Sequence, residues 1–351
     1  MNQFSRYLTK SRFKLALECP TKLYYTRKDN EYANKSKKDK FLNALAEGGY
    51  QVGELAKYYH PNGYEVLSKG DDDQLKETSD LLQKQKVIIY EPAIKFENFF
   101  IRVDVLVKDG NNVDLIEVKA KSFSSESEFF SKKGYISSSW RSYLYDIAFQ
   151  NWVTENVYPH WKITPYLMLA DKNKRSSVTD MNQLFTIKKN QATDKSYKID
   201  RDLESEILGD KLLTKVNVSK AIKMIYLGQD KAQKDKSIED KKEFSSRLRE
   251  YAEYYKNDEM FPVQIGSKCK KCEFKNDKEP SLLSGFEQCW KSIDPSFSLE
   301  TDHIFKIWRF NKTKTQDLID RGIYKMEDLY HSDSLLDEVD LKDRQFMQLE
   351  K

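Results

Sequence analysis

The sequence holds only four cysteines in 351 residues, which excludes a disulfide scaffold for a chain of this length. No apolar run approaches the roughly 18 to 20 residues of a membrane span, and no apolar stretch of signal-peptide length follows the basic N-terminus. The chain therefore reads as cytoplasmic, without a membrane partner. Charge of one sign is scarce as well. Sixty Lys and Arg against 56 Asp and Glu leave a net charge of +4, too little to point to nucleic acid through net charge. The local runs "NKSKKDK" (34–40), "DKNKRSS" (171–177) and "GQDKAQKDKSIEDKKE" (228–243) read as solvated loops or helix faces that permit phosphate binding without showing it. Internal repeats and long low-complexity linkers are absent too.

What is present is apolar material, 39% hydrophobic and 13% aromatic, enough for a real core. Residues 1–84 read as an N-terminal helical region. In "SRFKLALECPTKLYY", Phe13, Leu17 and Leu23 stand near helical spacing, and Pro20 predicts a break. "FLNALAEGGYQVGELAKYY" reads as an amphipathic helix whose Gly48, Gly49 and Gly53 weaken it and predict close packing; the turn "HPNG" and an acidic helix near 71–85 follow. Residues 85–200 change to the strands "KVIIYEPAIKF", "FFIRVDVLVK" and "NVDLIEVKAK", the last two joined by "DGNN", then the helix "SSWRSYLYDIAFQNWVTENV" and the strand "WKITPYLMLAD". Residues 201–295 read as a charged helical segment to about 260, then a cysteine-bearing region. Residues 296–351 read as a C-terminal helical extension that stops without a terminator signal, as a truncated one would. The fold class is α/β, a mixed central β-sheet flanked by helices with helical N- and C-terminal additions.

The chemistry concentrates in "VDLIEVKAKS". Strand alternation puts Glu117 and Lys119 on one face and Val118 on the other. Asp104 lies thirteen positions before Glu117, across the "KDGNN" reversal, so the two acids come to neighbouring strands. Paired carboxylates bind a hard cation such as magnesium and leave positions for a phosphate and water, while a lysine beside them orients water or stabilises developing charge. The plainer reading is an edge-strand Asp104 and a surface Glu117–Lys119 pair. Against it, Asp104 sits in an otherwise apolar strand, where an uncompensated carboxylate is costly; a metal or Arg102, two positions away, would compensate it.

These residues resemble the PD-(D/E)XK nucleases, in their RecB-like branch, over residues 85 to 170: "RVDVL", "LIEVKAKS" and then "DIAFQ", with Gln150 at the branch's helical glutamine. The resemblance implies a restriction-endonuclease-like core and magnesium- or manganese-dependent DNA hydrolysis carried by Asp104, Glu117, Lys119 and Gln150. It also implies Glu91 as an acidic residue on the first strand. The branch's ligand from the preceding helix is often a histidine. Here Gly53 holds that slot with Glu54 beside it, so Glu54 is the expected further metal ligand, with His60 and Glu47 as alternatives. The branch's aromatic residue four positions after the glutamine is Thr154 here, which leaves its role to Tyr145.

Cys19 stands alone near the N-terminus, while Cys269, Cys272 and Cys289 cluster in "GSKCKKCEFK" and "SGFEQCW". A C-x-x-C pair outside a thioredoxin-like pattern reads as a metal knuckle, and four thiolates suit either an iron–sulfur cluster or tetrahedral zinc. The plainer alternative is a three-cysteine zinc knuckle with Cys19 an ordinary buried thiol. A subset of RecB-like nucleases, including the CRISPR-associated adaptation nucleases, is similar in using one upstream and three downstream cysteines for a 4Fe-4S cluster, and this implies Cys19, Cys269, Cys272 and Cys289 as its ligands. The sixteen residues between Cys272 and Cys289 exceed the usual spacing. "LTKSRFKLALECPTKLYY", "DIAFQ" and "FEQCW" together look like the N-terminal nuclease module of uncharacterised bacterial two-domain proteins. Such relatives work in assemblies, so single- or double-stranded DNA and a helicase or second nuclease domain are the implied partners, in repair, processing or defence. The rival reading is a catalytically vestigial module that binds DNA or a partner; a third is a zinc-stabilised RNA-processing protein. "DLIDRGIYKMEDL" reads either as a DNA-gripping helical hairpin or as core packing of Leu318, Ile323 and Leu329.

Overall fold

The computed structural model describes residues 6–38, 40–185, 188–189, 197–198, 208–233, 236–237 and 239–350. The chain divides into two compact units, Met1–Lys14 with Lys40–Asn257, and Leu15–Asp39 with Asp258–Lys351. In chain order the elements begin with α1 (Lys10–Glu18), α2 (Lys22–Tyr25), α3 (Lys40–Tyr58), β1 (Tyr64–Glu65) and α4 (Asp71–Leu82). Then come β2 (Lys86–Tyr90), β3 (Ala93–Phe96), β4 (Phe99–Arg102), β5 (Val105–Asp109), β6 (Asn112–Phe123), α5 (Ser138–Val157) and β7 (Lys162–Asp171). After α6 (Met181–Leu184) and the short pair β8 (Lys188–Lys189) and β9 (Tyr197–Lys198), the first unit ends with β10 (Leu213–Asn217), α7 (Ser219–Tyr226) and α8 (Phe244–Lys256).

The first unit is α/β, built on a six-stranded mixed sheet in the order β1-β2-β5-β6-β7-β10. The pairs β1–β2 and β6–β7 are parallel and the others antiparallel. The β5–β6 hairpin turns at Gly110, whose φ of +60° suits a residue without Cβ. Tyr90, Val105, Ile116, Val118 and Met168 face Leu55 and Ala56 of α3, which covers one side of the sheet. Helix α5 packs on the other, and every residue from Leu144 to Thr154 is buried. A helix buried all round has no solvent face, so its polar members Asp146, Gln150, Asn151 and Thr154 need partners inside the protein. Aromatic rings fill the remaining space: Phe13 of α1 stacks on Phe149 at 4.9 Å, and Phe99 meets Trp152 edge-on at 5.0 Å.

Three expectations change here. The runs 86–96 and 99–108 are each two strands, broken at Glu91–Pro92 and at Val103–Asp104, and β3 and β4 leave the sheet as a separate hairpin. Glu91 takes a left-handed φ of +54°, and Pro92 has no N–H for a ladder. The stretch read as helical beyond 200 contains β10, because "LTKVN" completes the sheet edge against β7. The glycines of α3 do not serve close packing, since a Cβ at Gly48, Gly49 or Gly53 would meet nothing within 4 Å.

In the second unit, α9 (Gly285–Lys291), α10 (Lys312–Asp320), α11 (Met326–Tyr330), α12 (Asp333–Val339) and α13 (Asp343–Leu349) surround a core in which Trp290, Leu318 and Leu329 are fully buried. Ile323 packs against it, and Gly322 at φ +82° makes the turn. The "DRGI" segment thus serves packing. Pro20 ends α1 as expected, with α2 starting two residues later.

Gly49→Ala and Gly53→Ala are each expected to raise stability by about 0.5–1 kcal/mol in denaturant unfolding, since both lie inside a helix with open space at Cβ. A loss of stability in either would restore the packing role.

Candidate active site

The two strand breaks position the acids. The β2–β5 register ends at Tyr90 opposite Val105, and the β5–β6 register at Val105 opposite Ile116. One step further, Glu91 and Asp104, just beyond the ends of β2 and β5, stand abreast of Glu117 on β6. Backbone bonds fix them: Glu91 N–H donates to the Asp104 carbonyl (3.3 Å), and Val103 N–H to that of Pro92 (3.2 Å). Because Val105, Ile116 and Val118 face α3, Asp104, Glu117 and Lys119 face α5. The surface-pair reading fails at Glu117, which is 0% exposed.

Around Glu117 every nearby donor is engaged. Lys10 Nζ donates to its two oxygens at 2.9 and 3.1 Å, Gln150 Nε2 donates at 2.7 Å, and Lys119 donates to Oε1. Lys10 also reaches Asp104 Oδ1 at 3.5 Å, and Asp104 Oδ2 accepts the Val118 N–H at 2.6 Å. Arg102 takes no part; it turns to Gln74 and Asp71. Burial disfavours the Glu117 charge, but Lys10, Lys119 and the Gln150 amide outweigh it and hold the carboxyl far below its ordinary range. The neighbours respond oppositely. Burial, then the Glu117 charge, pushes Asp104 up to about 6, and burial, then Asp104, pushes Glu91 up to about 7. Burial opposes the Lys119 charge as well, yet Glu117 and Asp146 keep it protonated.

Three participants escaped sequence reading. Asp146 is buried on α5, one turn before Gln150, with Lys119 Nζ at 3.1 Å and Lys14 Nζ at 4.0 Å. Neither of its oxygens accepts a well-formed hydrogen bond, nor does Gln150 Oε1. Lys10 and Lys14 come from α1, four residues apart and therefore on one helix face. The i,i+4 spacing in "KSRFK" and in "DIAFQ" was the available signal.

Other expected residues lie elsewhere. Glu54 pairs with Lys57 at 2.6 Å, which also binds Glu65 at 2.8 Å; Lys57 is within electrostatic reach of Glu91, whereas Glu54 makes no contact with Asp104 or Glu117 among the described residues. His60 faces Lys215, Lys211 and Asp114, and burial, then those cations, lowers its pKa. The Glu47 side chain is outside the described residues. Tyr145 donates to Asp230 at 3.0 Å, away from Glu117, and Thr154 returns its hydroxyl to the Gln150 carbonyl.

The second unit gathers the thiols. Cys19, Cys269, Cys272 and Cys289 all line one cavity of about 290 Å³, together with Lys22, Lys268 and Lys271. Tyr25 Oη lies 3.1 Å from Cys289 Sγ. Burial pushes Cys269 and Cys289 up to about 11 and Cys272 up to about 12, so these are neutral thiols in the free protein, and a metal would have to displace their protons. Four sulfur donors from two separated chain segments fit a thiolate-held metal or cluster. The carboxylates, with Gln150 Oε1 and Asp146 Oδ1 lacking hydrogen-bond partners beside them, fit a hard divalent cation. Among the described residues no three His, Cys, Asp or Glu side chains form a preformed metal cage; the Lys10 ammonium sits between two of the carboxylates.

No protein-family model, no curated protein and no solved structure matches the chain.

Manganese affinity is expected to rise as pH climbs from 5.5 through the range in which Glu91 and Asp104 lose their protons, at about 7 and about 6, and to level off above it. Calorimetry in buffers of different ionisation enthalpy should register proton release on binding. A pH-independent affinity would mean that both acids are already ionised in the free protein.

Proposed function

We propose that the chain is a divalent-metal-dependent DNA nuclease with a restriction-endonuclease-like core of the RecB-like type. The observation that carries this reading is the row of Glu91 and Asp104, at the adjoining ends of β2 and β5, and Glu117 on β6, with Lys119 on the Glu117 face and Gln150 bonded to Glu117. Asp104 and Glu117 would hold magnesium or manganese, with Glu91 at the edge of the row. The bound metal would polarise a phosphoryl oxygen and lower the pKa of its water. In the metal-free protein Glu117 and Asp146 outweigh burial and keep Lys119 protonated, so Lys119 would serve as a positive charge that orients water or stabilises the charge developing on phosphate. Gln150 positions Glu117 by its amide, which leaves Oε1 to accept from a water. Asp146 holds Lys119 from the other side.

The four cysteines of the second unit would carry a 4Fe-4S cluster or zinc, with a structural role: they join the Cys19 segment to the segment bearing the other three. A second reading, a catalytically vestigial module that binds DNA or a partner, is favoured by the saturation of Glu117, whose charge is met by lysines without a metal.

Cleavage of labelled single- and double-stranded DNA in manganese or magnesium is expected, with Asp104→Ala and Lys119→Ala each lowering the rate about a hundredfold or more. DNA binding that persists without cleavage in any metal would select the vestigial module, and cleavage of RNA alone would move the substrate class. Anaerobically purified protein is expected to be brown and to contain iron and sulfide, and Cys289→Ala to lose both; colourless protein with one zinc per chain would assign zinc.

A further inference from the structure

We propose that Lys10 is the resident cation of the metal-free centre and that a divalent metal binds by displacing it. This rests on the reading of the carboxylate row as a metal centre. The Lys10 ammonium lies 2.9 and 3.1 Å from the Glu117 oxygens and 3.5 Å from Asp104 Oδ1, so it bridges the two acids that a metal would bridge. Two cations cannot share that gap. When all are ionised, Glu91, Asp104, Glu117 and Asp146 face the ammonium groups of Lys10 and Lys119, with Lys14 4.0 Å from Asp146 and Lys57 within electrostatic reach of Glu91. A divalent ion between Asp104 and Glu117 would bring them more charge than Lys10 supplies there.

The displaced lysine has a route and a destination. Its side chain is 27% exposed and ends in a flexible four-carbon stem, so it leaves without a change of backbone. Asp146 lies within its electrostatic reach; its Oδ2 already pairs with Lys119 at 3.1 Å and lies 4.0 Å from Lys14, while its buried Oδ1 has no hydrogen-bond partner. Receiving Lys10 would give that second oxygen a donor. Lys10 is thus a positioning residue: it keeps Glu117 and Asp104 charged and close before the metal arrives, and steadies Asp146 afterwards.

The test is manganese affinity, measured by calorimetry or by electron paramagnetic resonance, without DNA. Lys10→Met and Lys10→Gln, the latter retaining an amide donor, are expected to bind manganese about tenfold or more tightly than the wild type, while Lys10→Arg, which keeps the charge, stays near it. Equal or weaker binding by a folded neutral variant overturns the proposal and leaves the metal centre standing. Absence of binding in the wild type and both neutral variants overturns the metal centre as well. In the wild type, the NMR signal of the Lys10 ammonium is expected to shift on saturation with magnesium, and an unshifted signal in saturated protein also overturns displacement.

Discussion

A fully buried carboxylate governs the first unit. Glu117 lies in the middle of a six-stranded sheet, under a helix buried on all sides from Leu144 to Thr154, and its charge survives there because two lysines and an amide converge on it. Breaking a buried ion pair by removing one partner costs roughly 3–5 kcal/mol, a large share of the roughly 5–15 kcal/mol that holds a domain together. The surrounding architecture answers this demand. Helix α1 presents Lys10, β6 presents Lys119 two residues along, and α5 presents Gln150. Each of these groups is held by packing of its own, as Phe13 against Phe149 holds α1 beside α5.

The same charge sets its neighbours apart. Glu117 is held well below the ordinary carboxylate range, and on top of burial its charge lifts Asp104, which in turn lifts Glu91. Neighbouring carboxylates thereby differ in proton affinity, because lysines outweigh burial at Glu117, whereas burial and adjacent carboxylate charge outweigh the lysines at Asp104 and Glu91. A row of chemically identical groups becomes a graded set. Glu91 contributes a further constraint, since its left-handed backbone both ends β2 and bonds to the Asp104 carbonyl. The irregularity that stops two strands is also what aligns the acids.

Local patterns were legible in the sequence. The E-x-K alternation, the helix 138–157, the strand after it, the "DGNN" hairpin and the break at Pro20 depend on neighbours a few residues apart, and the structure has each of them. The four cysteines could be grouped by type, and they do line one cavity. What could not be read were pairings across long separations. Nothing in "LTKSRFK" indicates that Lys10 meets Glu117, 107 positions later, or that "LTKVN" at 213–217 completes a sheet. Asp146 was overlooked for a related reason: an acid on an apolar helix looks like an error of patterning until Lys119 is seen beside it. His60 failed in the opposite sense, its chemistry attractive and its location at Lys215 and Asp114 invisible from sequence.

The first unit is discontinuous in sequence: Met1–Lys14 belongs to it, Leu15–Asp39 does not, and the chain returns at Lys40. A boundary drawn where the strands begin would therefore produce a fragment containing Asp104, Glu117, Lys119 and Gln150 but lacking Lys10, Lys14 and Phe13. Such a fragment would retain every residue of the recognisable motif and still leave its central acid short of a counter-charge. The charge balance of the first unit is closed in three dimensions rather than along the chain, and Lys10 and the buried Phe13 are part of what closes it.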